Sequence, residues 1–301
     1  LEGRGSGFLT PGYDIYKDPL YSDESSVLHD PDHKNYYRFR IPYYFNIAPD
    51  RDLILALTYM SSRGSLRDNK YRQLLDRKIT EDGIKDSMFE IESEYLTSDH
   101  ITKQKRWLVN TTTELDIGDK THVSAKYHRA SDTEYFKEIK HSETDLERLL
   151  SHFEITYEDK ESHFNIGLLT EDEQLVNSGA AKYTRAFETS LSKSFNTDGS
   201  IPVKIDLVGT KFKHDNAVKD SGNRIHGNLG ITKTFKSKFP VVTSRANVSN
   251  THYELNNKDN INRTVAGAGV DFAFPFISQR ELFDAQTIRT ITPKISYNYR
   301  A

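Results

Sequence analysis

From Tyr37 to Ile47 every second residue is apolar: Tyr37, Phe39, Ile41, Tyr43, Phe45, Ile47. Arg38, Arg40 and Asn46 stand between them. A period of two sends successive side chains to opposite faces of an extended chain, so such a run is a strand with one apolar and one polar face. The pattern returns in Leu53, Leu55, Leu57, Tyr59, and in Phe89, Ile91, Tyr95 set against Glu90, Glu92, Glu94. It continues through Val123, Ala125, Tyr127, then Phe153, Ile155, Tyr157, then Phe164, Ile166, Leu168. Ile201, Val203, Ile205, Leu207 follow, then Ile225, Leu229, Ile231, Phe235 with Gly227 and Lys233 on the same face. A last run takes in Ile291, Pro293, Ile295, Tyr297 and Tyr299. The pattern predicts about fifteen strands of about 9–14 residues, where soluble domains favour about 5–6. A tilted bilayer crossing takes about 9–11 residues.

The connections carry a second signal. Short links at 48–50, 117–120, 159–162, 196–200 and 236–238 largely alternate with longer polar ones at 17–35, 97–105, 129–145, 170–181, 213–223 and 254–262. Ser61–Gly64 breaks the rule by being short on the long side. Transmembrane barrels have short periplasmic turns and longer extracellular loops. The fold class read from this is all-β, an antiparallel transmembrane barrel of the outer-membrane type, present as an incomplete, open barrel of about fifteen strands. The alternation alone leaves a soluble sandwich or lipocalin-like barrel open, because either face could be the buried one. Tyr13, Tyr16, Tyr36, Tyr59, Tyr95, Trp107 and Phe195 near strand ends would serve as interfacial girdles, although aromatic residues favour strands anyway.

Composition enters as a set of exclusions. The longest apolar stretches resemble Leu53–Leu57, far short of the roughly 20 residues of a spanning helix. There is no Cys, which removes disulfides and thiolate metal sites from this segment. The formal net charge of −3 gives no basic field, so nucleic acid is not an expected partner. The mean hydropathy of −0.69 does not oppose a barrel, whose lumen-facing residues and loops are polar. The 301 residues would by length make one or two soluble domains, and the periodicity reassigns them to a single sheet. The first residue is Leu and no signal peptide follows it, so the chain reads as a mature form or a piece of something longer.

Catalytic motifs are weak. Eleven His are scattered without an HExxH arrangement. His122 and His128 fall on the polar face of one strand, as lumen or solvent positions before metal ligands. Glu90, Glu92 and Glu94 form either a hydrated wall or a cation or headgroup contact. Gly267 and Gly269 lie in a strand pattern and not in a phosphate loop. Asn110, Asn247 and Asn262 head glycosylation-type triplets that matter only in a eukaryotic secretory setting. No Ser/His/Asp grouping is evident, and neither an enzyme, a cofactor nor a metal is implied.

Two prolines carry more. Pro11 follows Ser6-Gly7-Phe8-Leu9-Thr10, and Pro42 interrupts the strongest alternating run. Proline lacks a ladder donor and belongs on edge strands or at bulges. The pair reads either as a weakened edge near the chain start or as tolerated edge prolines without a role.

With these segments in view, the sequence resembles the barrel of the LPS-assembly protein LptD family, the organic-solvent-tolerance proteins. The resemblance rests on Ser6–Pro11, on Ile41-Pro42-Tyr43-Tyr44-Phe45-Asn46-Ile47-Ala48-Pro49, and on Asp52 to Gly64 with its Tyr-Met-Ser-Ser-Arg-Gly ending. Arg106-Trp107-Leu108, the Tyr127 to Phe136 segment and Thr292–Tyr297 continue it. It implies a component that inserts lipopolysaccharide (LPS) into the outer leaflet of the outer membrane through a lateral opening between the first and last barrel strands. Pro11 and Pro42 would be the strand-weakening residues of that gate. It implies LPS, outer-membrane lipid, an LptE-type lipoprotein plug in the lumen and periplasmic LPS-bridge proteins as partners. Residues 1–301 would be the N-terminal half of the barrel domain, with the periplasmic jelly-roll domain and the C-terminal strands absent. The family's cysteines would lie in those absent parts. The Lys17–Asn35 connection is longer than the resemblance leads one to expect. A general or substrate-specific outer-membrane pore is the alternative function.

Overall fold

The computed structural model describes residues 5–16, 36–80, 83–140, 146–177, 179–195, 201–216, 218–235, 239–256, 258–282 and 285–301. The expected 17–35 loop and the short links at 196–200 and 236–238 lie outside them. The first strand is in two pieces, β1 (Gly7–Phe8) and β2 (Gly12–Tyr16). There follow β3 (Tyr36–Ala48), β4 (Arg51–Met60), β5 (Gly64–Thr80), β6 (Gly83–Leu96), β7 (Arg106–Ile117) and β8 (Thr121–Ala130). After one π-helical turn, Phe136–Lys140, come β9 (Arg148–Asp159), β10 (Phe164–Leu175), β11 (Thr184–Phe195), β12 (Val203–Lys213) and β13 (Gly222–Phe235). The chain ends with β14 (Val241–Leu255), β15 (Ile261–Ala273), β16 (Phe276–Leu282), β17 (Ala285–Ile291) and β18 (Lys294–Arg300).

Sixteen of these strands form one sheet in chain order, from β1 through β15 to β18, with antiparallel ladders from β1 with β3 to β15 with β18. Counting β1 and β2 as one strand gives the fifteen that the periodicity predicts. The order has two ends, β1 and β18, and among the described residues no ladder joins them, as an open sheet requires. The longest strands, β5 with 17 residues and β14 with 15, exceed what a soluble sheet uses. Two boundaries differ from the sequence reading. β10 runs on to Leu175, six residues into the stretch read as a loop from Thr170, because Thr170, Asp172 and Gln174 continue the extended backbone. The run Ile291–Tyr299 is not one strand. Pro293 breaks it level with Phe274, and Pro275 stands level with Thr292, between the pairs Ala273–Lys294 and Phe276–Ile291, and β16 and β17 form their own hairpin. Neither proline can donate to a ladder, so both strands lapse at the same level.

Burial decides which face is which. On β4, Asp52 and Thr58 are fully buried, while Leu55, Leu57 and Tyr59 are 39%, 49% and 54% exposed. On β3, Tyr37, Phe39, Ile41, Phe45 and Ile47 are exposed, and Tyr44 is buried. A water-soluble sandwich would bury the apolar face, since apolar burial is its main driving force. This sheet covers its polar face and presents its apolar one, as a protein solvated by lipid does. Tyr13, Tyr59, Tyr95 and Phe195 are exposed at strand ends and Trp107 is half-buried, in keeping with a girdle. The side chains of Tyr16 and Tyr36 lie outside the described set.

The chain falls into two compact units, residues 1–156 with 169–186 and 214–216, and residues 157–168 with 187–213 and 217–301. The first holds the buried cluster of Met60, Leu66, Leu96, Leu108, Ala130, Tyr135, Phe136, Ile139, Leu149 and Val176. In the second, the polar face is cross-braced by hydrogen bonds. Ser192 donates to Asp206, Asn228 to the same carboxylate, and Arg245 to Asp271 and Asn298. Gly267 and Gly269 lie inside β15, where an added Cβ would come within 2.7 Å of the Asn247 side chain and 2.6 Å of that of Asn298.

Candidate functional site

The first-strand ladder is interrupted in the stretch that holds both prolines. Phe8 pairs with Tyr43, and pairing resumes only at Gly12 with Arg40. Three residues, Leu9 to Pro11, therefore oppose two, Ile41 and Pro42, which is the count of a bulge. Within the gap a single backbone bond holds, from the Leu9 N–H to the Pro42 carbonyl at 3.0 Å. In an antiparallel sheet the N–H and C=O of one residue point to the same neighbour. The donor that Pro42 lacks is thus lost to the first strand, while β3 keeps an unbroken register with β4 from Arg38 to Asn46. Both sequence-predicted prolines fall within this interruption, and the β3–β4 ladder beside it is continuous.

Behind this seam the polar face of β3 to β6 is a lattice of ion pairs. Arg40 grips Asp68 with two nitrogens, at 2.5 and 3.2 Å, and Thr58 donates to the same carboxylate. Arg72 grips Asp52 in the same way, at 2.6 and 2.9 Å, and the Tyr44 hydroxyl adds a third bond. Lys70 bridges Glu90 and Glu92 at 3.0 and 2.6 Å. Glu90, Glu92 and Glu94 are therefore not a bare acidic wall, because each accepts from a cation or a phenol. His122 is held between Glu114 and Asp116, and the His128 ring is met edge-on by Phe136 at 6.1 Å. No group that could hold a metal is found among the described residues.

The 131–140 segment folds onto this face as a cap. Tyr135, Phe136 and Ile139 are buried in the apolar cluster. The Tyr135 hydroxyl donates to Glu94 at 2.7 Å, Lys140 pairs with the same carboxylate, and Arg38 of β3 donates to the Ile139 carbonyl at 3.1 Å. Burial, and then the Glu94 carboxylate, push the Tyr135 phenol well above its ordinary range, so it is a neutral donor. On the outer side of the cap, Arg63, Asp99, Arg106, Asp132 and Glu138 form a buried ionic network. Arg106 holds Asp132 with two nitrogens at 2.6 and 3.0 Å and reaches Glu138 at 2.5 Å and Asp99 at 3.3 Å. Arg63 reaches Asp99 at 2.7 Å and Glu138 at 3.2 Å. Burial disfavours the Asp99 carboxylate, but the Ile101 N–H and the Arg63 and Arg106 guanidiniums outweigh it and hold its carboxyl below the usual range. These residues come from four separate connections and strand ends, and no local motif joins them. The sequence reading missed them for that reason. The one usable signal was an aromatic pair, Tyr135-Phe136, inside an otherwise polar loop.

A family model described as "LptD: LPS transport system D" matches residues 104–301. Proteins named LPS-assembly protein LptD are similar over most of the chain. That of Shewanella sp. (strain MR-4) is 27% identical over 286 residues, 88% of this chain and 35% of its own length. That of Vibrio cholerae serotype O1 is 25% identical over 281 residues, 88% of this chain and 35% of its own. That of Hahella chejuensis is 23% identical over 281 residues, 87% and 34% respectively. The chain thus spans about a third of the length of the curated relatives it matches.

Proposed function

The chain belongs to the LptD family of outer-membrane β-barrel proteins, and from that premise we propose that it takes part in inserting LPS into the outer leaflet by way of the Pro11–Pro42 seam. In this reading residues 1–301 are the first half of the barrel domain of a longer protein. The chain acts as a transport and assembly component and not as an enzyme. An LptE-type lipoprotein in the lumen and periplasmic bridge proteins are its partners.

One observation carries the gate: both prolines fall in the stretch, among the described residues, where the β3 register with the first strand lapses, Pro42 level with Leu9 and Pro11 next to the point where pairing resumes. LPS has acyl chains that belong in lipid and a charged glycan that belongs in water. A sheet with an exposed apolar face and a polar face rich in ion pairs offers both, provided a seam can part. Parting a ladder inside hydrocarbon leaves backbone groups unpaired, which is costly there. At Pro42 there is no donor to strand, so that cost is already reduced. The test is a Pro11→Ala, Pro42→Ala double variant of the full-length protein. It is expected to tighten the seam, lower surface LPS and raise permeability to large antibiotics. Unchanged surface LPS together with unchanged permeability would remove the gate from the reading.

A further inference from the structure

Beneath the cap, on the polar face, lies a cavity of about 260 Å³ whose wall includes Arg38, Arg40, Lys70 and Lys140. Its carboxylates are Asp68, Glu92 and Glu94. Each of these is already engaged, Asp68 by Arg40, Glu92 by Lys70, and Glu94 by Lys140 and the Tyr135 hydroxyl. Arg38 is the exception. Among the described residues its one bond is to the Ile139 carbonyl, and it has no carboxylate partner. A guanidinium has five N–H donors in a planar fork that matches a phosphate or carboxylate edge. Half-buried on a wall with three other cations, its remaining donors find no protein anion among the described residues. Asn69 and Ser93, hydrogen-bonded to each other at 3.3 Å, add neutral polar groups to the same wall.

We propose that this pocket binds a phosphate group of an anionic glycolipid, with Arg38 as the fork and Lys140 as the second cation. The proposal rests on the LPS reading above and names a binding step within it. A cation is the poorer occupant, because every carboxylate here already has a positive partner. Arg38 and Pro42 are four residues apart on one strand and share its polar face. A headgroup held by Arg38 would therefore sit beside the seam through which its acyl chains leave. The ligand also lies against the cap, since the Arg38 guanidinium joins β3 to the cap's last turn.

The shared chemistry is an anionic phosphate group, and it could come from lipid or from free phosphate. Binding to the purified full-length protein is measured with phosphorylated LPS, enzymatically dephosphorylated LPS and inorganic phosphate. The wild type is expected to bind phosphorylated LPS about tenfold more tightly than the dephosphorylated form. Arg38→Gln keeps an N–H for the Ile139 carbonyl while removing the cation, so the cap stays anchored. It is expected to abolish that preference and leave binding of dephosphorylated LPS unchanged. Inorganic phosphate competing as strongly as an equal concentration of LPS would assign the pocket to free phosphate and overturn the lipid source. An Arg38→Gln variant that keeps the full preference would overturn the site and leave the LPS reading standing. A wild type that binds neither lipid form would remove both.

Discussion

Removing Arg106 should release the cap and little else. The network holds two arginines and three carboxylates, a formal charge of −1, and Arg106→Gln makes it −2. Arg106 is 3% exposed, Asp99 fully buried and Glu138 11% exposed, so two of the three carboxylates that lose Arg106 have little access to water and are left to share Arg63 alone. Deleting one partner of a buried pair costs about 3–5 kcal/mol. Asp132 is a third exposed and keeps its bonds from Ser131 and from the Glu134 N–H, so its share is discounted. The lower end, about 3 kcal/mol, corresponds to roughly a hundredfold rise in the opening equilibrium of the segment. Amide hydrogen exchange on the full-length protein in micelles reads this directly. The Glu138 N–H, bonded to the Glu134 carbonyl at 2.9 Å, reports on the cap, and the amides of β13 serve as the reference. The variant is expected to exchange about a hundred times faster at Glu138 with β13 unchanged. Rates within twofold of wild type at Glu138 would refute the latch. A uniform acceleration that includes β13 would refute its locality.

Two further outcomes follow from the same geometry. The Asp99 carboxyl is held below its ordinary range, so its contribution is present in full above the ordinary value of 3.8 and is lost as pH falls through the depressed folded value. Cap protection in exchange experiments should therefore stay level from neutral pH down to about 5 and fall only in stronger acid, and Asp99→Asn should remove that acid limb. Gly64 opens β5 at φ 106°, where an added Cβ would lie 3.2 Å from the His100 ring. Gly64→Ala should lower unfolding stability by about 1–3 kcal/mol, seen as an earlier urea midpoint, with β13 register unaffected.

The strands were legible because alternation is a local property. Tyr37 to Ile47 could be nothing but a two-faced strand, and β3 matches it within a residue at either end. The facing of the sheet was not legible in the same way. Leu55 and Leu57 read as apolar whether they meet lipid or a core, and only the buried Asp52 and Thr58 opposite them choose between the two. Prolines differ in how far the local sequence discloses their setting. Pro11 and Pro42 were seen as an edge because the chain start supplied one. Pro293 is absorbed into an apolar run, because the lapse shows only once it stands beside Phe274 and Pro275, about twenty residues earlier and across a hairpin.

The candidate site shows the limit most clearly. Every element of the cap is unremarkable in sequence: an arginine after β4, an aspartate after β6, an arginine opening β7, and an acidic loop. Their meaning comes from β4, β6, β7 and β8 ending at one level, which the register sets and the residue types do not. Once those ends are adjacent, charge makes the choice. A loop carrying Asp132 and Glu138 is drawn toward Arg63 and Arg106, and Phe136 and Ile139 then have an apolar cluster to enter. Among the described residues Arg38 has no carboxylate partner, while Lys140 and Tyr135 of the cap hold Glu94. The same closure that secures the cap thus leaves one guanidinium on β3 available to an anion from outside the chain.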